Sequence, residues 1–397
     1  MPGWHKATEG LQDEDRFQMV GIIQEQHPDR ARLFMQWKQM DWPIMIDSLD
    51  LLGVSGIPIT LAIDEMGIIR SKRMHPESLE SDFLSHNYRD SKDGEKHVKS
   101  FPYTPPNLEQ QIETKTSFSS MGEWMSLGND LVLWGNQNHL DEAVNAYQQA
   151  LTLSPDSGQA HFSLGVALRR RYESPGRRKD DFQNAVTYWQ QALNIDPNQY
   201  IWRRRIQQYG PRLDKPYSFY DWVNHAREEI LEQGAQPVPL PVEPSGAEFA
   251  VPSRSLLNGT ESQSEPDSSG RIFRDSGEFI HIEQTIVASS KKDGSFRVHF
   301  TLRPIADKKA HWNNESDDLK LWVSAPKNAV IPSRIFHYPN PEEATDSRVR
   351  RLEFEINPGN IPSEEPVSIP AYFLYNVCED VNGTCFYRRQ DISLEFK

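Results

Sequence analysis

The residues with the clearest chemistry are the two cysteines, Cys378 and Cys385, in the stretch Tyr375-Asn376-Val377-Cys378-Glu379-Asp380-Val381-Asn382-Gly383-Thr384-Cys385-Phe386-Tyr387. A cysteine pair can staple a fold, exchange with other thiols or hold a metal. Asn382-Gly383 is a strong tight-turn signal, and a loop over 380–383 with its glycine left-handed would set Cys378 opposite Cys385. Opposed β-carbons, with α-carbons about 5.5 Å apart, suit a cross-strand disulfide. Closing so short a loop would stabilise the fold by roughly 2–3 kcal/mol in the chain-entropy view. A disulfide, structural or reactive, implies an oxidising compartment. Zinc is disfavoured, because two cysteines lack partner histidines at ligand spacing. The 12 histidines form no His-Glu-x-x-His pattern, and no Walker loop, dinucleotide fingerprint or nucleophile elbow occurs, so no metal or cofactor is expected.

The elements that must position the pair are strands. Alternating apolar patterns run over 278–287, 296–302, 319–323, 349–356 and 370–377, with turn signals at Lys292-Asp293-Gly294 and Asn357-Pro358-Gly359. This predicts an all-β sandwich over 271–397. The tyrosine, cysteine pair and following Phe386-Tyr387, within that pattern, resemble the N-terminal immunoglobulin-like domain of the membrane thiol-disulfide reductase DsbD. The resemblance implies that Cys378 and Cys385 are an exchanging pair, with Phe386 and Tyr387 contacting a bound partner. The cysteine spacing is slightly longer than in that family, and Arg388-Arg389 stands where prolines are common. A plain stapling disulfide stays open beside the redox reading.

At the other end, the apolar run 17–23 has the content of a buried strand. Residues 27–40 carry Leu33, Phe34, Trp37 and Met40 at helical spacing, and a short strand follows at Ile44-Met45-Ile46. A helical turn at 49–52, a strand at 59–63, the turn Asp64-Glu65-Met66-Gly67 and a hairpin partner at 68–70 complete the order. Trp42-Pro43-Ile44 with Gly53-Val54-Ser55-Gly56-Ile57-Pro58-Ile59-Thr60 resembles the thioredoxin/redoxin superfamily, in its peroxiredoxin-like and TlpA-like branch. There the proline matching Pro58 is cis, and the residue matching Ile57 offers its backbone to a bound peptide, so Ile57 and Pro58 are candidate substrate-binding residues. Met1-Pro2 resembles the tail of the Glu-x-Pro pattern after the family's redox loop. That implies a truncated domain beginning beyond the first strand and the Cys-x-x-Cys loop. Without cysteines, residues 1–75 as given cannot perform dithiol chemistry, because the thiolate is the nucleophile.

The middle, 121–233, repeats a helical pair. Leu127, Gly128, Ala143, Tyr147, Ala150 and Pro155 mark one unit. His161, Leu164, Gly165, Ala185, Trp189, Ala192 and Pro197 mark a second, with an insertion around 173–179. Small residues let paired helices approach, an aromatic fills the groove beside them and a proline ends the second helix. The pattern resembles tetratricopeptide (TPR) repeats, which implies a protein-binding scaffold. Two repeats need neighbours to cover their faces. Residues 200–209 and 218–232, with Phe219, Tyr220, Trp222 and Val223, are expected to cap the stack. Trp124, Trp134, Tyr147 and Trp189 are expected in the core rather than at a ligand.

With 397 residues, a net charge of −14 and 25% charged residues, the chain has length for two or three domains. No stretch reaches the roughly 18–20 apolar residues of a membrane span, and no signal-peptide pattern opens the sequence. The acidic balance argues against nucleic acid, and Arg169-Arg170-Arg171 and Arg203-Arg204-Arg205 are expected to be solvated helix faces. Asn258, Asn314 and Asn382 sit in glycosylation triplets, which matter only in a eukaryotic secretory context. The expected fold class is multidomain α/β + α + β. Its layout is a truncated thioredoxin-like domain over 1–75, a linker over 76–120, TPR-like repeats over 121–233, a Pro/Ser-rich linker over 234–270 and an immunoglobulin-like β-sandwich over 271–397. Two functions follow. One is an extracytoplasmic, periplasmic thiol-disulfide exchange or electron-relay protein, with a thioredoxin-like partner and TPR-mediated binding. The alternative is a noncatalytic TPR scaffold with a vestigial thioredoxin fold and a structural disulfide.

Overall fold

The computed structural model describes residues 2–13, 17–53, 59–88, 105–211, 222–240, 264–289, 294–359, 366–379 and 384–396. The chain divides into two units. The first comprises Met1–Arg177, Thr187–Arg205 and Trp222–Glu243; the second comprises Arg178–Val186, Ile206–Asp221 and Pro244–Lys397.

The first unit opens with helix α1 (Pro2–Asp13), strand β1 (Gly21–Ile23), helix α2 (Pro28–Lys38) and strand β2 (Ile44–Ile46). β1 and β2 pair in parallel, Gly21 opposite Ile44 and Ile23 opposite Ile46, with α2 as the crossover. Pro28 starts α2, where the missing N–H costs nothing, and left-handed Gln39 ends it. Strands β3 (Ala62–Ile63) and β4 (Ile69–Ser71) form an antiparallel pair. Asp64 builds their turn: its Oδ1 accepts the N–H groups of Met66 and Ile68, both at 2.9 Å, and Gly67 takes a φ of +77°. Burial would raise the Asp64 carboxyl, but those bonds and the Arg70 guanidinium outweigh it and hold it below the ordinary range.

The run 17–23 departs from the expectation of a buried strand. β1 takes only three of its residues, and Val20 and Ile22 are 45% and 43% exposed, as is Met45 opposite Ile22 at 54%. Among the described residues β1–β2 and β3–β4 are separate two-stranded sheets, too narrow to cover both of their faces. Within the stretch expected as a linker, Leu79 and Phe83 are buried with Ala62 and Met74.

The helical part follows as α3 (Leu108–Thr114), α4 (Met121–Trp134), α5 (Leu140–Leu153), α6 (Gly158–Tyr172), α7 (Asp181–Ile195), α8 (Tyr200–Gln207) and α9 (Trp222–Glu232). Ser120 and Glu123 form a reciprocal capping box at the start of α4. The α4–α5 contact depends on Gly128, where an added Cβ would lie 2.5 Å from the Tyr147 ring. Tyr147 is fully buried, and its hydroxyl donates to Asn129 Oδ1 at 2.9 Å. In the second pair Trp189 is equally buried and donates Nε1–H to the Phe162 carbonyl at 3.2 Å. α8 caps α6: Trp202 stacks on Phe162 and would meet a Cβ at Gly158 at 2.8 Å. α9 instead packs on α2, with Leu33, Val223 and Ile230 in one cluster and Trp222 stacked on Trp37. Phe219 and Tyr220 lie outside the described residues. Of the four aromatics expected in the core, Tyr147 and Trp189 are there, Trp124 is half-buried against Phe118, and Trp134 is 52% exposed.

The arginine runs are solvated only in part: Arg203 is exposed and Arg204 half-buried, as expected, but Arg169, Arg171 and Arg205 are not. Arg169 and Arg171 are buried and pair with Glu173 at 2.8 Å and Asp141 at 2.7 Å, while Arg170 donates to the Val132 carbonyl. Arg205 is buried and donates to Gln26. Acceptors outside the runs take up these cations, for Arg170, Arg171 and Arg205 from distant elements, which consecutive charges in sequence do not reveal.

The second unit holds the β-rich part. Its strands are β5 (Ile280–Ala288), β6 (Phe296–Pro304), β7 (His311–Asn313), β8 (Leu319–Val323), β9 (Ile335–Tyr338), β10 (Thr345–Asp346), β11 (Arg350–Ile356), β12 (Val367–Cys378) and β13 (Cys385–Phe396). One antiparallel sheet has the order β11-β6-β5; the other runs β10-β7-β12-β8-β9, with β13 on the free edge of β12. Val298, Phe300 and Leu302 of β6 and Phe373, Tyr375 and Val377 of β12 belong to one apolar core, with Phe300 edge-on to Phe373 at 5.0 Å. The helical region and C-terminal β-rich sheets therefore agree with the coarse α-then-β order expected.

Candidate functional site

β12 and β13 pair without interruption from Val367/Phe396 to Cys378/Cys385, so the cysteines close the ladder. Ile369, Ala371, Phe373, Tyr375 and Val377 enter the core. The two-residue period of a strand sends Tyr372, Leu374, Asn376 and Cys378 to the opposite face. The next pair outward is hydrogen-bonded, Glu379 N–H donating to the Thr384 carbonyl at 3.1 Å. Cys378 and Cys385 therefore occupy a non-hydrogen-bonded position, where facing side chains lie closest. They form a disulfide, with α-carbons 3.9 Å apart, nearer than the expected separation of about 5.5 Å. Asn382 and Gly383 lie outside the described residues.

The two cysteines differ in exposure. Cys378 is 3% exposed, whereas Cys385 is exposed at the end of the hairpin. Tyr387 shares their face, opposite Asn376. Burial pushes its phenol above the ordinary value, and the charges of Asp317 and Asp267 add to that. Phe386 turns to the other side: it lies opposite Val377, meets Phe279 at 5.2 Å and is covered by the Arg388 guanidinium at 4.2 Å. Of the two aromatics expected beside the pair, only Tyr387 stands on the cysteine face. Ile57 and Pro58 lie outside the described residues.

Farther along the same face, the segment before β5 is anchored to β13. Arg389 stacks on Tyr372 at 3.7 Å and donates to Asp267 Oδ2 at 2.9 Å, while Asp267 Oδ1 accepts the Arg271 N–H at 2.9 Å. Burial opposes ionisation of Asp267, but Arg389 and the Arg271 and Ile272 amides outweigh it and hold the carboxyl below the usual 3.8. Burial pushes Tyr372 up to about 12. The anchored segment leaves Phe273 78% exposed beside β13, its carbonyl accepting the Arg389 N–H at 3.0 Å.

On its other edge β12 meets β7, with Val377 opposite Trp312 and Cys378 opposite His311. Trp312 is in the core, so His311 projects to the cysteine face. Cys385, Cys378 and His311 thus form one row across three strands. The sequence reading missed His311 because β7, at three residues, is too short to show a period. Among the described residues no group of three or more His, Cys, Asp or Glu could hold a metal ion, and no helix is long and apolar enough to cross a membrane.

Chemically, the row offers a disulfide between an exposed and a buried cysteine, with an imidazole beyond. An exposed sulfur admits the in-line approach of an attacking thiolate, which a buried one does not.

Compared with known families, the model of the TPR repeat matches residues 136–170, which cover α5 and most of α6. A search of curated proteins finds no match to the chain. The TPR match makes the helical segment the part of the chain suited to protein–protein interaction.

Proposed function

We propose that the chain is a redox-linked interaction protein, in which the TPR segment holds a protein partner and the Cys378–Cys385 disulfide exchanges with thiols. The observation that carries the reading is the position of the bond: Cys385 is exposed at a hairpin end while Cys378 is buried. An exposed cysteine is open to attack by an incoming thiolate, which an exchanging pair requires. The sequence resemblances support the reading from both flanks, DsbD-like around the cysteines and redoxin-like over 17–70. A persistent disulfide fits an extracytoplasmic, oxidising compartment. A thioredoxin-like dithiol protein is the partner class that this chemistry suits.

The test is attack by a small thiol on the oxidised full chain, quenched with acid and mapped by mass spectrometry. The reading expects glutathione on Cys385 and a thiol at Cys378. Resistance to millimolar glutathione on the timescale of hours would defeat it. A second reading, a noncatalytic scaffold with a structural disulfide, is favoured by the unbroken β12–β13 register, which needs no reactive chemistry to explain a terminal bridge.

A further inference from the structure

We propose that His311 is the proton-transfer partner of Cys378 during disulfide exchange, a role that rests on the redox reading above. Residues directly opposite in a ladder project to the same face, which places His311 beside Cys378 on one side and Cys385 on the other. The alternation of Trp312 and Val377 into the core assigns the same face independently. The His311 ring is oriented by a hydrogen bond between Nδ1 and the Lys309 carbonyl at 3.2 Å. A carbonyl only accepts, so Nδ1 carries the proton, and the neutral ring keeps its lone pair on Nε2. The turn fixes that carbonyl, since Lys309 sits in the left-handed region with a φ of 48°.

The proton balance shows what the imidazole would do. A partner thiolate attacks Sγ of Cys385, the new S–S bond forms there, and the bond to Cys378 breaks with its electron pair left on Cys378 Sγ. That thiolate emerges where only 3% of the residue meets solvent, so water stabilises it poorly. His311, having taken a proton from solvent on Nε2, pairs with the anion or passes that proton to Cys378 Sγ and returns to the neutral ring. A second thiolate of the partner then attacks the mixed disulfide, releasing Cys385 as thiolate and leaving the partner oxidised by two electrons. In the reverse direction neutral His311 takes the proton from Cys378, which becomes the nucleophile. Other ionisable groups near the row are Glu379 next to Cys378, Lys309 before His311, Tyr387 on β13 and Asp317, whose charge acts on Tyr387.

The bland alternative is that His311 merely steadies the turn through the Lys309 carbonyl. H311Q in the full chain separates the two, with H337Q, an exposed histidine of β9, as control. Opening of the disulfide by reduced glutathione is followed from pH 5 to 9, and the reduced protein is alkylated with iodoacetamide and its two cysteine peptides quantified. H311Q is expected to open about 100-fold more slowly at neutral pH, the low end of acid–base contributions. It is also expected to move the alkylation profile of Cys378, and not that of Cys385, to higher pH, while H337Q behaves as wild type. Equal opening rates and equal profiles in H311Q and wild type would overturn the role of His311 and leave exchange standing. A wild-type bond that glutathione does not open would overturn the redox reading and the proposal together.

Discussion

Replacing Gly128 by alanine tests the helix contact on which the repeat depends. The new Cβ would sit 2.5 Å from Tyr147 Cε1 and 2.8 Å from Cδ1 and Cζ. Carbon pairs rest at about 3.5–4.0 Å, so α4 and the ring must separate by roughly 1 Å. The ring cannot easily yield, being fully buried with its hydroxyl bonded to Asn129. Overpacking of this kind costs about 1–3 kcal/mol, and the clash argues for the upper end. Alanine recovers about 1 kcal/mol of helix propensity, leaving a net loss of about 1–2 kcal/mol. Gly122 in the same helix, where an added Cβ meets nothing within 4 Å, is the control, and G122A is expected to be neutral or stabilising. Urea titration of the full chain followed by far-ultraviolet circular dichroism reads both midpoints. A double-mutant cycle with Y147L should return at least about 0.5 kcal/mol of favourable coupling. G128A unfolding at the G122A midpoint would refute the packing argument.

Trp189→Phe removes one ring of the fully buried indole and its hydrogen bond to the Phe162 carbonyl, so a loss of about 1–3 kcal/mol in the same titration is expected. Asp267→Asn should destabilise the full chain at neutral pH. Because the folded carboxyl lies below 3.8, its contribution is complete above that value and disappears as pH falls through the lower folded value. Thermal midpoints of wild type and D267N should therefore differ at pH 7 and converge as pH falls through the lowered folded value; a gap that persists in acid would contradict the Arg389 pairing. Reducing the disulfide without other change should lower the unfolding free energy from the same urea titration by no more than the roughly 2–3 kcal/mol of a short-loop crosslink.

What the sequence revealed depended on period and length. The alternation over 319–323 became β8 with the same bounds, and the glycine and aromatic spacing of the repeats became the Gly128–Tyr147 contact and the buried Trp189. Short strands escaped: β7 and β10 carry too few residues to show a period, and with β7 went the register that places His311 next to Cys378. Long-range acceptors escaped as well, which is why Arg169, Arg171 and Arg205 read as solvated and are buried. The orientation of Phe386 could have been read from strict alternation once Cys385 was assigned to the outer face; adjacency in sequence suggested proximity where the strand imposes opposite faces. Leu79 and Phe83 were lost among polar neighbours, although their spacing of about one helical turn matches a buried stripe.

The reduction potential of the Cys378–Cys385 pair in the full chain tests the central claim most directly. Equilibration in graded thiol buffers, followed by alkylation and mass analysis, measures it. The account predicts a value between roughly −270 and −120 mV with rapid exchange, the range of working thiol-disulfide proteins. A value below about −300 mV would mark a structural staple and contradict the account.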